Sequence, residues 1–163
     1  MSTSTAPSDF RVEKSRAQAA LSLSNGQSVT GCFFVAGGSA RHEGRERVGD
    51  LLNAEPGFFP FEILEADGPR TVLFHRDHVV TASLADHEAS EEPGYAFATP
   101  RTVSLLLPSG QRLDGVVRVY RPQGRDRLSD WAHHGERFRY VETDTATVIV
   151  NFDHILEARE LTP

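Results

Sequence analysis

The chain has 163 residues, 39% hydrophobic and 25% charged, which suits a soluble globular protein of one ordinary domain or two very small ones. A net charge of −6 argues against a general nucleic-acid binder, since such proteins carry a basic excess. A single cysteine excludes an internal disulfide, and no apolar run approaches the length of a membrane span or a signal-peptide core, so the expectation is a cytoplasmic protein off the membrane.

Residues 1–18 are polar and lack hydrophobic periodicity, which predicts a disordered tail. Ala20-Leu-Ser-Leu-Ser alternates apolar and polar as a half-buried strand does, and Asn25-Gly26 supplies a hairpin turn into a second strand, Val29 to Ala36. Cys32 lies in that second apolar run and reads as a small buried hydrophobe. The run Arg41-His-Glu-Gly-Arg-Glu-Arg-Val-Gly-Asp50 follows and leads into a short helix, where Val48, Leu51 and Leu52 stand at i, i+3 and i+4 and form one apolar stripe. Phe58 to Leu64 reads as a third strand. Thr71 to Ala82 reads as a fourth, with a short fifth segment after Asp77-His78. Residues 83–102 hold Asp86, Glu88, Glu91 and Glu92 and no lysine or arginine before Arg101; they read as an acidic linker.

The whole series then recurs. Residues 21–31, 41–62 and 71–82 align with 105–115, 121–142 and 147–158, and seventeen of these forty-five positions are identical. The gaps fall in loops, where a duplicated unit drifts most readily. The expected architecture is therefore mainly β: two tandem small SH3-like or Sm-like β-barrel modules, residues 19–82 and 103–160, each with one short helix. A unit so small buries only a thin core, so the two should pack together as one cooperative body. Trp131, at the position of Leu51, should be buried under the second sheet.

The pattern Gly26 to Gly31 and Gly110 to Gly115, then Arg47-Val-Gly-Asp-Leu-Leu-Asn53 and Arg127-Leu-Ser-Asp-Trp131, then Phe58 and Phe138, then Asp77-His78-Val79 and Asp153-His154-Ile155, resembles a family of uncharacterised small bacterial domains. Their pattern runs G-x-x-x-x-G, R-L-S-D-x-L-N, F, H-I; here the second copy has His133 in place of the Asn. The resemblance implies a fold type and no activity.

The candidate site residues are the repeated arginines. Arg41, Arg45 and Arg47 fall on one face of an extended ribbon, as do Arg121, Arg125 and Arg127, and each set stands beside a glycine. Forked guanidinium groups so placed suit a carboxylate or phosphate. The structural alternative is internal pairing of Arg47 with Asp50 and of Arg127 with Asp130 at i+3. A cation opening a helix opposes the helix dipole, so Glu62 and Glu142, an anion or a partner is expected to compensate. The R-x-x-x-R spacing is similar to that of the cyclic-dinucleotide-binding PilZ domain, whose following D/N-x-S-x-x-G strand has no counterpart here. Asp77-His78 and Asp153-His154 read as strand ends with the imidazole bonded to backbone, and His133-His134 before Gly135 as a helix C-terminus. No nucleophile elbow, zinc-protease, C-x-x-C or phosphate-loop motif is present, and no cofactor or metal is expected.

Three functions follow from these residues. The first is a non-catalytic tandem module of regulatory or adaptor type, working by protein–protein interaction or self-assembly. The second is a sensor of an anionic or nucleotide-type ligand, or of nucleic acid, at the arginine loops. The third is a hydrolase built on the Asp-His pairs.

Overall fold

The computed structural model describes residues 14–37, 44–133 and 135–161. The elements run β1 (Lys14–Leu23), β2 (Ser28–Ala36), α1 (Val48–Ala54), β3 (Phe58–Glu65), β4 (Gly68–His75), β5 (Val79–Leu84), β6 (Thr99–Leu106), β7 (Arg112–Val119), α2 (Leu128–His133), β8 (Phe138–Glu142), β9 (Thr147–Asn151) and β10 (Glu157–Glu160). The strands form one ten-stranded antiparallel sheet in the order β10-β6-β7-β8-β9-β5-β1-β2-β3-β4. Strand order within the first five, 5-1-2-3-4, is repeated within the last five, 10-6-7-8-9.

The protein is thus mainly β, but its sheet is not closed into barrels as the sequence led us to expect. The reason lies in β5, which pairs with β1 on one side and with β9 on the other. The outer side of this strand, which closure of the first half would need, is used instead to join it to the second. Four residue pairs make the seam: Thr81↔Val150, Ala82↔Ile149, Ser83↔Val148 and Leu84↔Thr147. Among the described residues the sheet ends in two free edges, β4 and β10.

Two sequence boundaries need correction. β1 starts at Lys14, inside the expected tail, where it pairs with β2 from Lys14 to Ser22 and Arg16 bonds Glu62 at 2.9 Å. The expected linker is also shorter and better packed than a free connector. β5 reaches Leu84, β6 starts at Thr99, and between them two 3-10 turns, Glu88–Glu91 and Tyr95–Phe97, carry the buried Glu88 and Ala89. Cys32 is half-buried on β2, less enclosed than expected.

Each half has its own apolar core. The first gathers Leu21, Phe33, Phe59, Phe61 and the α1 stripe Val48, Leu51 and Leu52; the second gathers Val103, Leu105, Val117, Val141 and Trp131. The ring of Trp131 stands edge-on to Phe152, as its expected burial requires. The division is not clean, because Phe138 and Ile149 of the second half sit in the first core. Polar bonds fasten the same boundary. The Asn53 side chain donates to the Phe138 carbonyl and accepts from the Phe138 N–H, each at 2.9 Å, and Asn151 donates to the carbonyls of Arg76 and Val79. Two glycines, Gly31 and Gly115, let β2 and β7 cross their neighbours closely. A Cβ on Gly31 would stand 1.9 Å from the Glu62 carbonyl oxygen, and one on Gly115 2.6 Å from that of Glu142.

Candidate functional site

The two arginine loops occupy matching places but are used differently. In the first, Arg47 is the N-cap of α1 and forms a reciprocal box with Asp50: its backbone N–H donates to the Asp50 carboxylate at 3.1 Å, and its Nε donates at 3.2 Å. Arg47 is buried, so the expected internal pairing holds in this copy. Arg45 lies half-buried and pairs with Asp86 at 2.8 Å. Arg41 lies outside the described residues. The loop is stitched to the end of β2 by Glu46, which exchanges bonds with the Ala36 backbone.

The compensation for a cation at the start of α1 comes from the acidic segment. Glu88, 2% exposed, accepts from the backbone N–H groups of Val48 at 2.7 Å and Gly49 at 3.1 Å, and from the Tyr140 hydroxyl at 2.6 Å. Glu62 and Glu142, two of the expected compensators, are engaged elsewhere, Glu62 with Arg16 and Glu142 with Arg118. Burial pushes the Glu88 carboxyl above the ordinary glutamate range, outweighing its three donors. Burial raises the Tyr140 hydroxyl as well, with the Glu88 charge adding to it. Glu92 is likewise raised by burial.

The second loop has no such cover. Arg121, Arg125 and Arg127 are exposed, and among the described residues none of the three side chains makes an ion pair or hydrogen bond. Asp130 does close the helix start, but onto the Arg127 backbone N–H at 3.0 Å and not onto its guanidinium. Among the described residues, no carboxylate from outside α2 accepts from its first N–H groups as Glu88 does for α1. The loop is nevertheless anchored, because Asp126 accepts from the Thr99 hydroxyl at 2.9 Å and its carbonyl accepts from Arg101. The carboxyl of Asp126, bonded by Thr99, is held below its ordinary range.

Beside this loop a cleft of about 400 Å³ opens between α1, α2 and β8. Phe138 and Tyr140 of β8 line it. Its lining also includes Arg47, Arg118, Arg121 and Arg139 together with Asp50, Glu92, Asp130 and Glu136, equal in number. So balanced a lining gives a lone phosphate little advantage over water. Arg121 belongs to both the loop and the cleft; Arg125 and Arg127 stand outside it.

The Asp-His pairs are taken up by structural bonds. Asp77 pairs with Arg137 at 2.6 Å, and that bond holds its carboxyl below the ordinary range. His154 bonds the Asp77 carbonyl at 2.6 Å, as expected of a strand-end imidazole, whereas His78 bonds the Ser24 hydroxyl at 2.9 Å. His75 and Asn151 play the same part in the two halves, each side chain accepting from the backbone N–H two residues on. His133 bonds the Ser129 carbonyl; His134 lies outside the described residues. Among the described residues no three His, Cys, Asp or Glu side chains stand close enough to share a metal ion, and no helix is long and apolar enough to cross a membrane.

Several residues that shape the site carry no sequence signal. Glu88 is one carboxylate in an acidic run, and Tyr140 aligns with a proline. Arg76 spreads its guanidinium over the carbonyls of Leu51, Leu52, Gly57 and Phe58 at the end of α1, while its counterpart is Phe152. Comparison with protein-family models, with curated proteins and with solved structures yields no match.

Proposed function

We propose that the chain is a non-catalytic protein-binding module of adaptor type whose working surface is the second arginine loop and its adjoining cleft, and that its ligand is an acidic segment of a partner protein. One observation carries the reading. The first loop is already covered by an acidic segment of the same chain, through Arg45 to Asp86 and the α1 start to Glu88, while Arg121, Arg125 and Arg127 stand open. The chain therefore contains a worked example of the contact its second loop would make. The cleft, with polar and apolar lining side by side, favours an acidic peptide, which brings backbone polar groups and apolar side chains beside its carboxylates, over a bare phosphate or nucleotide. The bonds already made by Asp77, His78 and His154 favour binding over hydrolysis.

The matched strand orders and paired cores support reading each half as a small SH3-like or Sm-like unit, in keeping with the resemblance to small bacterial domains. The test uses a synthetic peptide of residues 84–93, the chain's own acidic segment, with inorganic phosphate as the comparison ligand. The peptide should bind, more weakly as salt rises, and Arg125→Ala with Arg127→Ala should abolish binding while leaving the melting temperature unchanged. Arg→Lys at both sites should restore little, since lysine lacks the planar fork. Peptide binding that survives the double alanine variant overturns this site. Phosphate binding lost in that variant, with no peptide binding, would transfer it to the anion-sensor reading.

A further inference from the structure

We infer that the two free edges of the sheet, β4 and β10, are the halves of a second seam, made head to tail between copies of this chain. The inference rests on the sheet and its cores, so its outcome leaves the arginine-loop reading untouched.

The internal seam provides the template. Through the sequence repeat, β9 corresponds to β4 and β5 to β10. The four pairs that join β5 to β9 then translate into Glu157↔Phe74, Ala158↔Leu73, Arg159↔Val72 and Glu160↔Thr71 between β10 of one copy and β4 of the next.

Burial separates the two halves along this line. Phe138 and Ile149, 3% and 0% exposed, reach across the internal seam into the first core; their counterparts Phe58 and Leu73 stand 59% and 60% exposed. The receiving side shows the complementary lack. Val48, Val79 and Ala82 are sealed in the first core, while their counterparts Leu128, Ile155 and Ala158 are only partly covered in the second. Leu156 is 64% exposed where its counterpart Val80 is buried beside the seam. The second core thus lacks the two side chains that the first receives from its neighbour, and the far edge displays two of that kind. A second copy supplies both at once. Such a contact is heterologous, so it closes into a ring or continues as a filament. It is weaker than the internal seam, because the Asn53 clamp has His133 at its place and because the charges of β10 are of the sort that discourage indiscriminate edge pairing.

The experiment measures mass in solution by sedimentation over a range of concentrations. The wild-type chain should shift from monomer to multimers as concentration rises. Leu73→Glu and Leu156→Glu, both at exposed positions, should each remain folded by circular dichroism and each be monomeric. Mixed in equal amounts they should form dimers and nothing larger, because one intact β10 then meets one intact β4. A wild-type chain that stays monomeric up to its solubility limit overturns the inference. So does assembly that persists in either single variant, as a β4-to-β4 dimer would in Leu156→Glu, or a mixture that stays monomeric.

Discussion

At the scale of the residue, Glu88 decides how the first loop differs from the second. Its carboxylate serves two backbone N–H groups and a phenol in a site nearly closed to water, and an amide cannot accept from all three. Glu88→Gln should therefore cost about 1–3 kcal/mol, the usual penalty for a buried donor left unmet, read by urea denaturation. The pH dependence has a definite sign. A carboxyl whose folded pKa is raised binds its proton more tightly in the folded state, so stability rises as pH falls through the raised range of Glu88 and Glu92. Asp77, Asp126 and Glu157 are held low, and their contributions are lost only below about pH 4. The melting temperature should thus climb between neutral and mildly acid pH before falling, and Glu88→Gln should flatten the climb. A melting temperature that falls steadily from pH 7 downward would contradict the assignment. By contrast Arg45→Ala should change stability by no more than about 0–1 kcal/mol, because its ion pair with Asp86 is partly exposed.

At the scale of the element, the glycines and the short helices set the tolerances. Gly31→Ala drives a methyl group into a strand carbonyl, which the β3 backbone can relieve only by moving, and about 1–3 kcal/mol is expected from such overpacking. Gly115→Ala should cost less, since its closest approach is wider. Trp131→Ala removes the largest side chain of the second core, and a loss of about 3–5 kcal/mol should appear in denaturation curves. Wild-type emission from this single tryptophan should be blue-shifted. Elements were the most legible level in the sequence. The hairpin at Asn25-Gly26, the stripe of Val48, Leu51 and Leu52, and the turn at Asp77-His78 all announce themselves through local chemistry. What sequence could not supply was the destination of long-range bonds. Nothing marks Glu88 among its acidic neighbours, Asn53 as the clamp on Phe138, or Arg76 as the cover for the end of α1, because each depends on which strands meet. The arginines were half legible: their repetition is plain, but that one set is buried or paired and the other open depends on where the acidic segment folds.

At the scale of the whole molecule, one sheet carrying two cores makes each half depend on the other. Residues 103–161 expressed alone would present β9 and the side chains of Phe138 and Ile149 to water. The fragment should be poorly folded or associate with itself, as judged by circular dichroism and sedimentation, and a monomeric fragment with a sharp thermal transition would contradict this. The sequence indicated this dependence through the small size of each copy but expected separate barrels, since a repeat of strands does not state which partner each strand will take. The seam also orders events during synthesis. When the first five strands have left the ribosome, the first core still lacks Phe138 and Ile149, and the outer side of β5 waits for residues 147–151 to be translated. Through that interval the nascent chain carries an open strand edge, and on a polysome the next chain's β9 is an alternative match for it. The arrangement that joins the halves is thus also the point at which two growing chains could exchange them.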